Sequence, residues 1–123
     1  MSDAARWFTI DEAQSLMPAV HERAARLIPL RADLARRARA LEAGDRTQRA
    51  ELKALEAHLS ELLDWFREQG IQLKGYAPLL IDFPMRADER VVLLCWLENE
   101  PELAWFHHAD DGFLGRRPLS DLL

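Results

Sequence analysis

Apolar side chains recur every third or fourth residue through the first half of the chain and crowd into short runs through the second. That change of period predicts two helices followed by a small sheet. Val20, Ala24, Leu27, Leu34, Ala38 and Leu41 form one helical stripe, interrupted at Arg31, whose stem can still cover apolar surface. Leu52, Leu55, Leu59, Leu62 and Phe66 form the second. Thr9-Ile10-Asp11-Glu12 reads as a capping box, with Phe8 and Ala13 placed as a staple, so the first helix begins at Ile10. Pro18 lacks the N–H for a carbonyl four residues back; it predicts a short helix that stops or kinks there and a longer one to Glu42. Pro29 predicts a second kink or a wide turn near Ile28. Gly44 in a short linker makes the two stripes an antiparallel hairpin over 10–69, closed by Gly70. The seam is too short for an extended coiled coil and reads as a core packed on a sheet.

Residues 79–83 and 91–97 are apolar runs of strand character, the first ending at Pro84, and 103–107 can return antiparallel after the turn chemistry of Asn99-Glu100-Pro101-Glu102. Residues 85–90 form a polar link, and 71–75 add a short edge strand. The expected fold is α+β in a single domain: a kinked N-terminal helical hairpin on a three- or four-stranded antiparallel sheet over 71–108, then an irregular tail over 109–123.

Alternation along a strand sends Val91, Leu93, Cys95 and Leu97 to one face and Val92, Leu94, Trp96 and Glu98 to the other. Both faces are apolar. The hairpin covers one, and a second copy of the chain is the expected cover for the other, which makes the protein a homodimer; the rival is a tail folded back over the sheet.

Composition narrows the function classes. With 49% apolar and 30% charged residues the chain is that of an ordinary globular domain. A net charge of −5 argues against a phosphate-backbone partner. Arg23, Arg26, Arg36, Arg37 and Arg39 could line up as a basic stripe, read here as a solvated face paired with acids of the neighbouring helix. No run reaches the length of a membrane span, the start lacks the pattern of a secretory leader, and Cys95 is the single cysteine, so the cytoplasm is the expected compartment.

Phe8-Thr9, Glu12-Ala13, Leu16-Met17-Pro18, Gly70 to Lys74, Leu80-Ile81-Asp82-Phe83, Arg90 with Val92, Leu94, Cys95 and Trp96, then Glu100, Phe106-His107 and Gly112-Phe113-Leu114-Gly115-Arg116-Arg117-Pro118 form a pattern along nearly the whole chain. In it the sequence resembles the bacterial domain of unknown function 2203 family, with departures at Leu79, Asn99 and Phe106. The resemblance implies a shared fold and carries no assigned activity.

Chemistry-bearing residues concentrate in the last third: Asp82, Cys95, Glu98, Glu100, His107, His108, Asp110, Asp111, Arg116 and Arg117. Asp82, Cys95, Glu98, Glu100, His107 and Arg116 form the expected polar cluster. Asp82, Glu100 and His107 are the expected ligands if a metal is held, and zinc or iron would accept such donors, although no signature spacing is present. His107 and His108 should point to opposite faces, so one of them joins a site. Cys95 could be a nucleophile with His107, but a buried structural thiol is the favoured reading. The glycine-flanked Arg116 could hold a carboxylate or phosphate; anchoring the tail to Asp82, Glu98 or Glu100 is preferred. The sequence thus predicts a small binding or interaction protein. The alternative is a metal-dependent enzyme acting on a small anionic substrate.

Overall fold

The computed structural model describes residues 6–122; most of the amino-terminal segment considered above as a leader lies outside them. Helix α1 runs Ile10–Ala40 from the expected capping box, in which Thr9 Oγ1 accepts from the Glu12 amide at 3.0 Å and Glu12 Oε1 accepts from the Thr9 amide at 2.9 Å. The helix neither stops at Pro18 nor turns at Pro29, which corrects the expected break. Each proline withholds one intrahelical hydrogen bond. Burial outweighs that loss: Ala13, Met17, Val20, Ala24 and Leu27 lie on one stripe against the core and hold the helix on both sides of Pro18.

Helix α2, Arg46–Glu68, is capped by Asp45, whose side chain accepts from the Gln48 amide at 2.9 Å. It ends as the glycine signal requires. Gly70 takes φ 84°, its N–H reaches the Arg67 carbonyl, and the Ile71 N–H reaches that of Phe66 at 2.9 Å, with Ile71 and Phe66 both buried. Leu27, Leu59 and Leu62 pack the hairpin internally.

Five antiparallel strands follow in chain order: β1 Gln72–Tyr76, β2 Leu79–Ala87, β3 Arg90–Leu97, β4 Trp105–His108 and β5 Arg117–Pro118. The count exceeds the expected three or four because the edge segment is a true strand and the tail contributes β5. Otherwise the tail consists of short 3-10 turns at Phe113–Gly115 and Leu119–Leu122. Strand β2 also continues through Pro84. Strand β1 pairs only as far as Asp82, so beyond it one edge of β2 is open, and there the Pro84 carbonyl accepts from the Phe8 amide at 2.8 Å. A strand residue turns its N and C=O to the same edge, so the missing proline donor falls on this side and costs the β2–β3 ladder nothing. The polar link shrinks to the two residues Asp88 and Glu89, with Ala87 paired to Arg90 and Asp88 at φ 58°.

The inner face of the sheet, with Ile81, Phe83, Val92, Leu94, Trp96 and Phe106, packs on α1 and α2 in one core with Phe8, Val20 and Phe66. The other face is closed over much of its area within one chain: Leu93 and Cys95 are buried there, beneath a tail that brings Phe113 and Arg116 alongside Trp105. The tail thus packs over part of this face within the single chain, as Arg116 reaches the Cys95 carbonyl at 3.4 Å. No helix among the described residues is long and apolar enough to cross a membrane.

The basic residues of α1 find mostly local partners. Arg36 and Arg37 pair with Asp33 of the same helix, Arg37 reaches Glu51 of α2 at 3.7 Å, and the Arg23 guanidinium lies over the Trp65 ring.

Candidate functional site

Strand register, rather than spacing along the chain, gathers the site. Asp82 on β2 stands opposite Cys95 on β3, and Leu93 on β3 stands opposite His107 on β4, so all four side chains share the outer face. Asp82 and His107 flank β3 from two strands apart. Cys95 is small enough to let them reach across it, and His107 Nε2 lies 3.2 Å from Asp82 Oδ2. One donor atom from each of Asp82, Cys95 and His107 lies within 4.8 Å of the others, with all three residues buried.

The hydrogen bonding around this trio is directional. His107 Nδ1 lies 2.9 Å from the His108 carbonyl, which can only accept, so Nδ1 carries the hydrogen. That leaves Nε2 as the nitrogen turned to Asp82, 3.2 Å from its Oδ2. Asp82 Oδ2 also lies 3.8 Å from Lys74 Nζ, whereas Asp82 Oδ1 is buried without a hydrogen-bond partner. Burial, and secondarily the Asp82 carboxylate, pushes the Cys95 thiol up to about 12. Such a thiol lacks the activation that a nucleophilic cysteine needs. In a Cys-His-acid triad, moreover, one ring nitrogen faces the sulfur and the other the acid, but here Nδ1 is committed to the backbone.

The remaining residues of the expected cluster divide between two other places. Glu100 folds back into the β3–β4 turn, where its Oε1 accepts from the Leu97 amide at 2.8 Å and from Arg116 Nη2 at 2.7 Å. Arg116 is thus the tail anchor, and Glu100 is the acid it anchors to. Its guanidinium lies between the Trp105 and Phe113 rings and reaches the Cys95 carbonyl at 3.4 Å. Glu98 is on the helix-facing side, held bidentately by Arg31 at 2.8 and 2.9 Å and by the Leu79 amide at 2.8 Å. Those bonds, the Arg31 pair first, hold the Glu98 carboxyl below its ordinary range, and the same pair raises Arg31. His108 turns to the opposite face, edge-on to Phe106, while Asp110, Asp111 and Arg117 are exposed.

Two cationic partners of these acids, Arg31 and Lys74, are not among the cluster residues that the sequence singles out. Arg31 does more than lay its stem over apolar surface: an arginine inside an apolar stripe signals a buried acid opposite, here Glu98. Lys74 reaches the site from a β-bulge between Leu73 and Gly75, which no sequence pattern announces.

The trio fits a zinc-class ion chemically. It offers one imidazole nitrogen, one sulfur and one carboxylate oxygen, and the 3.2 Å between Nε2 and Oδ2 matches the edge of about 3.3 Å that bonds of about 2.0–2.1 Å give in a tetrahedron. A metal-binding histidine commonly donates its other N–H to a backbone carbonyl, as His107 does. Glu100, expected as a ligand, lies with Arg116 instead, and Cys95 stands in the trio.

Neither a curated protein nor a solved structure matches the chain. A family model does, over residues 6–119, and its description is "Uncharacterized conserved protein (DUF2203)". With a match of that extent across helices, sheet and tail, the chain belongs to the DUF2203 family of uncharacterised conserved proteins.

Proposed function

We propose that this protein is a small metal-binding domain that holds one zinc or iron ion between Asp82, Cys95 and His107. The observation that carries the reading is the convergence of three different donor atoms within 4.8 Å in a buried spot. The bare Oδ1 of Asp82 and the orientation of His107 support it. A buried carboxylate oxygen without a donor costs about 1–3 kcal/mol, and a cation would relieve that cost. Binding must displace the thiol proton, which a transition metal does readily. Because Cys95 would serve as a reduced thiolate, a reducing cytoplasm is the compartment that goes with this function.

Calorimetric titration of the metal-free protein with zinc tests the proposal. One site per chain is expected, abolished in Cys95→Ser and in His107→Ala and retained in Glu100→Gln. Absence of binding, or binding that survives both ligand substitutions, would contradict it.

A second copy of the chain remains the partner we propose, on a specific observation: Leu114 is 97% exposed at the tip of the tail turn, next to Phe113 at 39%. An aliphatic side chain standing free in water is normal singly, but paired with an exposed aromatic it makes a contact surface.

A further inference from the structure

We propose that a groove between α1 and the turn joining β3 to β4 binds a linear aliphatic polyamine, held by two main-chain carbonyls that the prolines of α1 leave without donors and by the carboxylate of Glu102. This site is separate from the metal centre and does not depend on it.

Two neighbouring cavities, of about 330 and 490 Å³, share His21 and Pro101 and so form one continuous groove. One wall is the α1 stripe of Gln14, Pro18, His21, Ala25 and Ile28, and the other is the turn from Asn99 to Leu103. A proline cannot donate to the carbonyl four residues before it, and its ring pushes that carbonyl aside. Pro18 therefore frees the Gln14 carbonyl and Pro29 the Ala25 carbonyl, and Gln14 and Ala25 both line the groove. Their separation in sequence is just over three helical turns, which puts the two acceptors on one face of α1 about 16 Å apart.

The lining selects a cation. It includes no Lys or Arg in either cavity. Among the described residues Glu102 is in no ion pair, whereas Glu98 and Glu100 are held by Arg31 and Arg116. The Trp96 indole N–H is spent on the Glu100 carbonyl at 2.9 Å, so it offers nothing to a ligand. Carbonyls and carboxylates accept hydrogen bonds while an ammonium group only donates them, which makes amines the matching class. Between the acceptors the surface is apolar, with Met17, Pro18, Ala24, Ile28 and Pro101, and this suits a methylene chain better than a compact metal ion. Two separated acceptors call for at least two ammonium groups on one chain. The net charge of −5 adds long-range attraction for such a ligand.

The test is calorimetric titration of the full chain with spermine and with the short diamine putrescine, in about 0.15 M sodium chloride to screen diffuse attraction. One saturable spermine site is expected, with putrescine about tenfold weaker because it cannot span both carbonyls. Pro18→Ala gives the Gln14 carbonyl back its donor, and Glu102→Gln removes the carboxylate; each should weaken spermine about three- to tenfold, the scale of one hydrogen bond. Glu51→Gln, which removes an acid beside Arg37 on the far part of the hairpin, should leave the affinity unchanged. No saturable binding would overturn the site. So would equal affinities for spermine and putrescine, or spermine binding that neither Pro18→Ala nor Glu102→Gln weakens, since either result would reduce the interaction to general charge attraction.

Discussion

Asp82 sits 2% exposed with one oxygen shared between His107 and Lys74 and the other bare, and the neighbouring Cys95 makes its environment testable without a metal. Cys95 is 1% exposed and burial pushes its thiol up to about 12, so it should ignore a disulfide reagent at pH 8 in the folded, metal-free protein and react promptly once urea unfolds the chain. Fast reaction in the folded state would revive the nucleophile reading. On the opposite face, Glu98→Gln removes one partner of a part-buried bidentate pair and should cost about 2–4 kcal/mol at pH 7 by urea unfolding. Because the folded carboxyl of Glu98 is held below its unfolded value of about 4.3, its contribution is complete above that pH and fades as pH falls through the folded value. The gap between wild type and variant should therefore narrow between pH 5 and pH 3, and a constant gap would show that Glu98 acts through packing alone.

At the scale of elements, the structure separates what neighbours in sequence decide from what contacts decide. The capping box at Thr9 and the glycine stop at Gly70 were legible because their donors and acceptors lie within a few residues. Pro18 and Pro84 misled for the same reason: local chemistry says stop, whereas the buried face of α1 and the Phe8 amide beside β2 make continuation affordable. Alternation already put Cys95 and Glu98 on opposite faces, and that separation is observed. Legibility ended at register. The link over 85–90 hides a two-residue turn, and only that turn sets Asp82 against Cys95. Pro29 offers the matching experiment, since its ring is exposed and the helix is continuous around it. Pro29→Ala should restore the bond to the Ala25 carbonyl and raise stability by about 1–2 kcal/mol, after allowing for the looser unfolded chain. A loss of stability would mean that α1 needs the proline's geometry.

For the molecule as a whole, the tail is the piece that joins fold to site. Arg116 ties it to Glu100 and to the Cys95 carbonyl, which lays the tail over part of the outer face. Dimerisation then rests on the exposed Phe113 and Leu114, and sedimentation at micromolar concentration should show a dimer that Leu114→Glu converts to a 14.2 kDa monomer. A monomer in the unaltered chain would remove that partner without touching the metal site. The metal site is the central claim, and elemental analysis of untagged protein, purified without chelator, addresses it most directly. About one zinc or iron per chain is predicted, lost in His107→Ala; protein free of transition metal that also fails to acquire any on incubation with either ion would contradict the account.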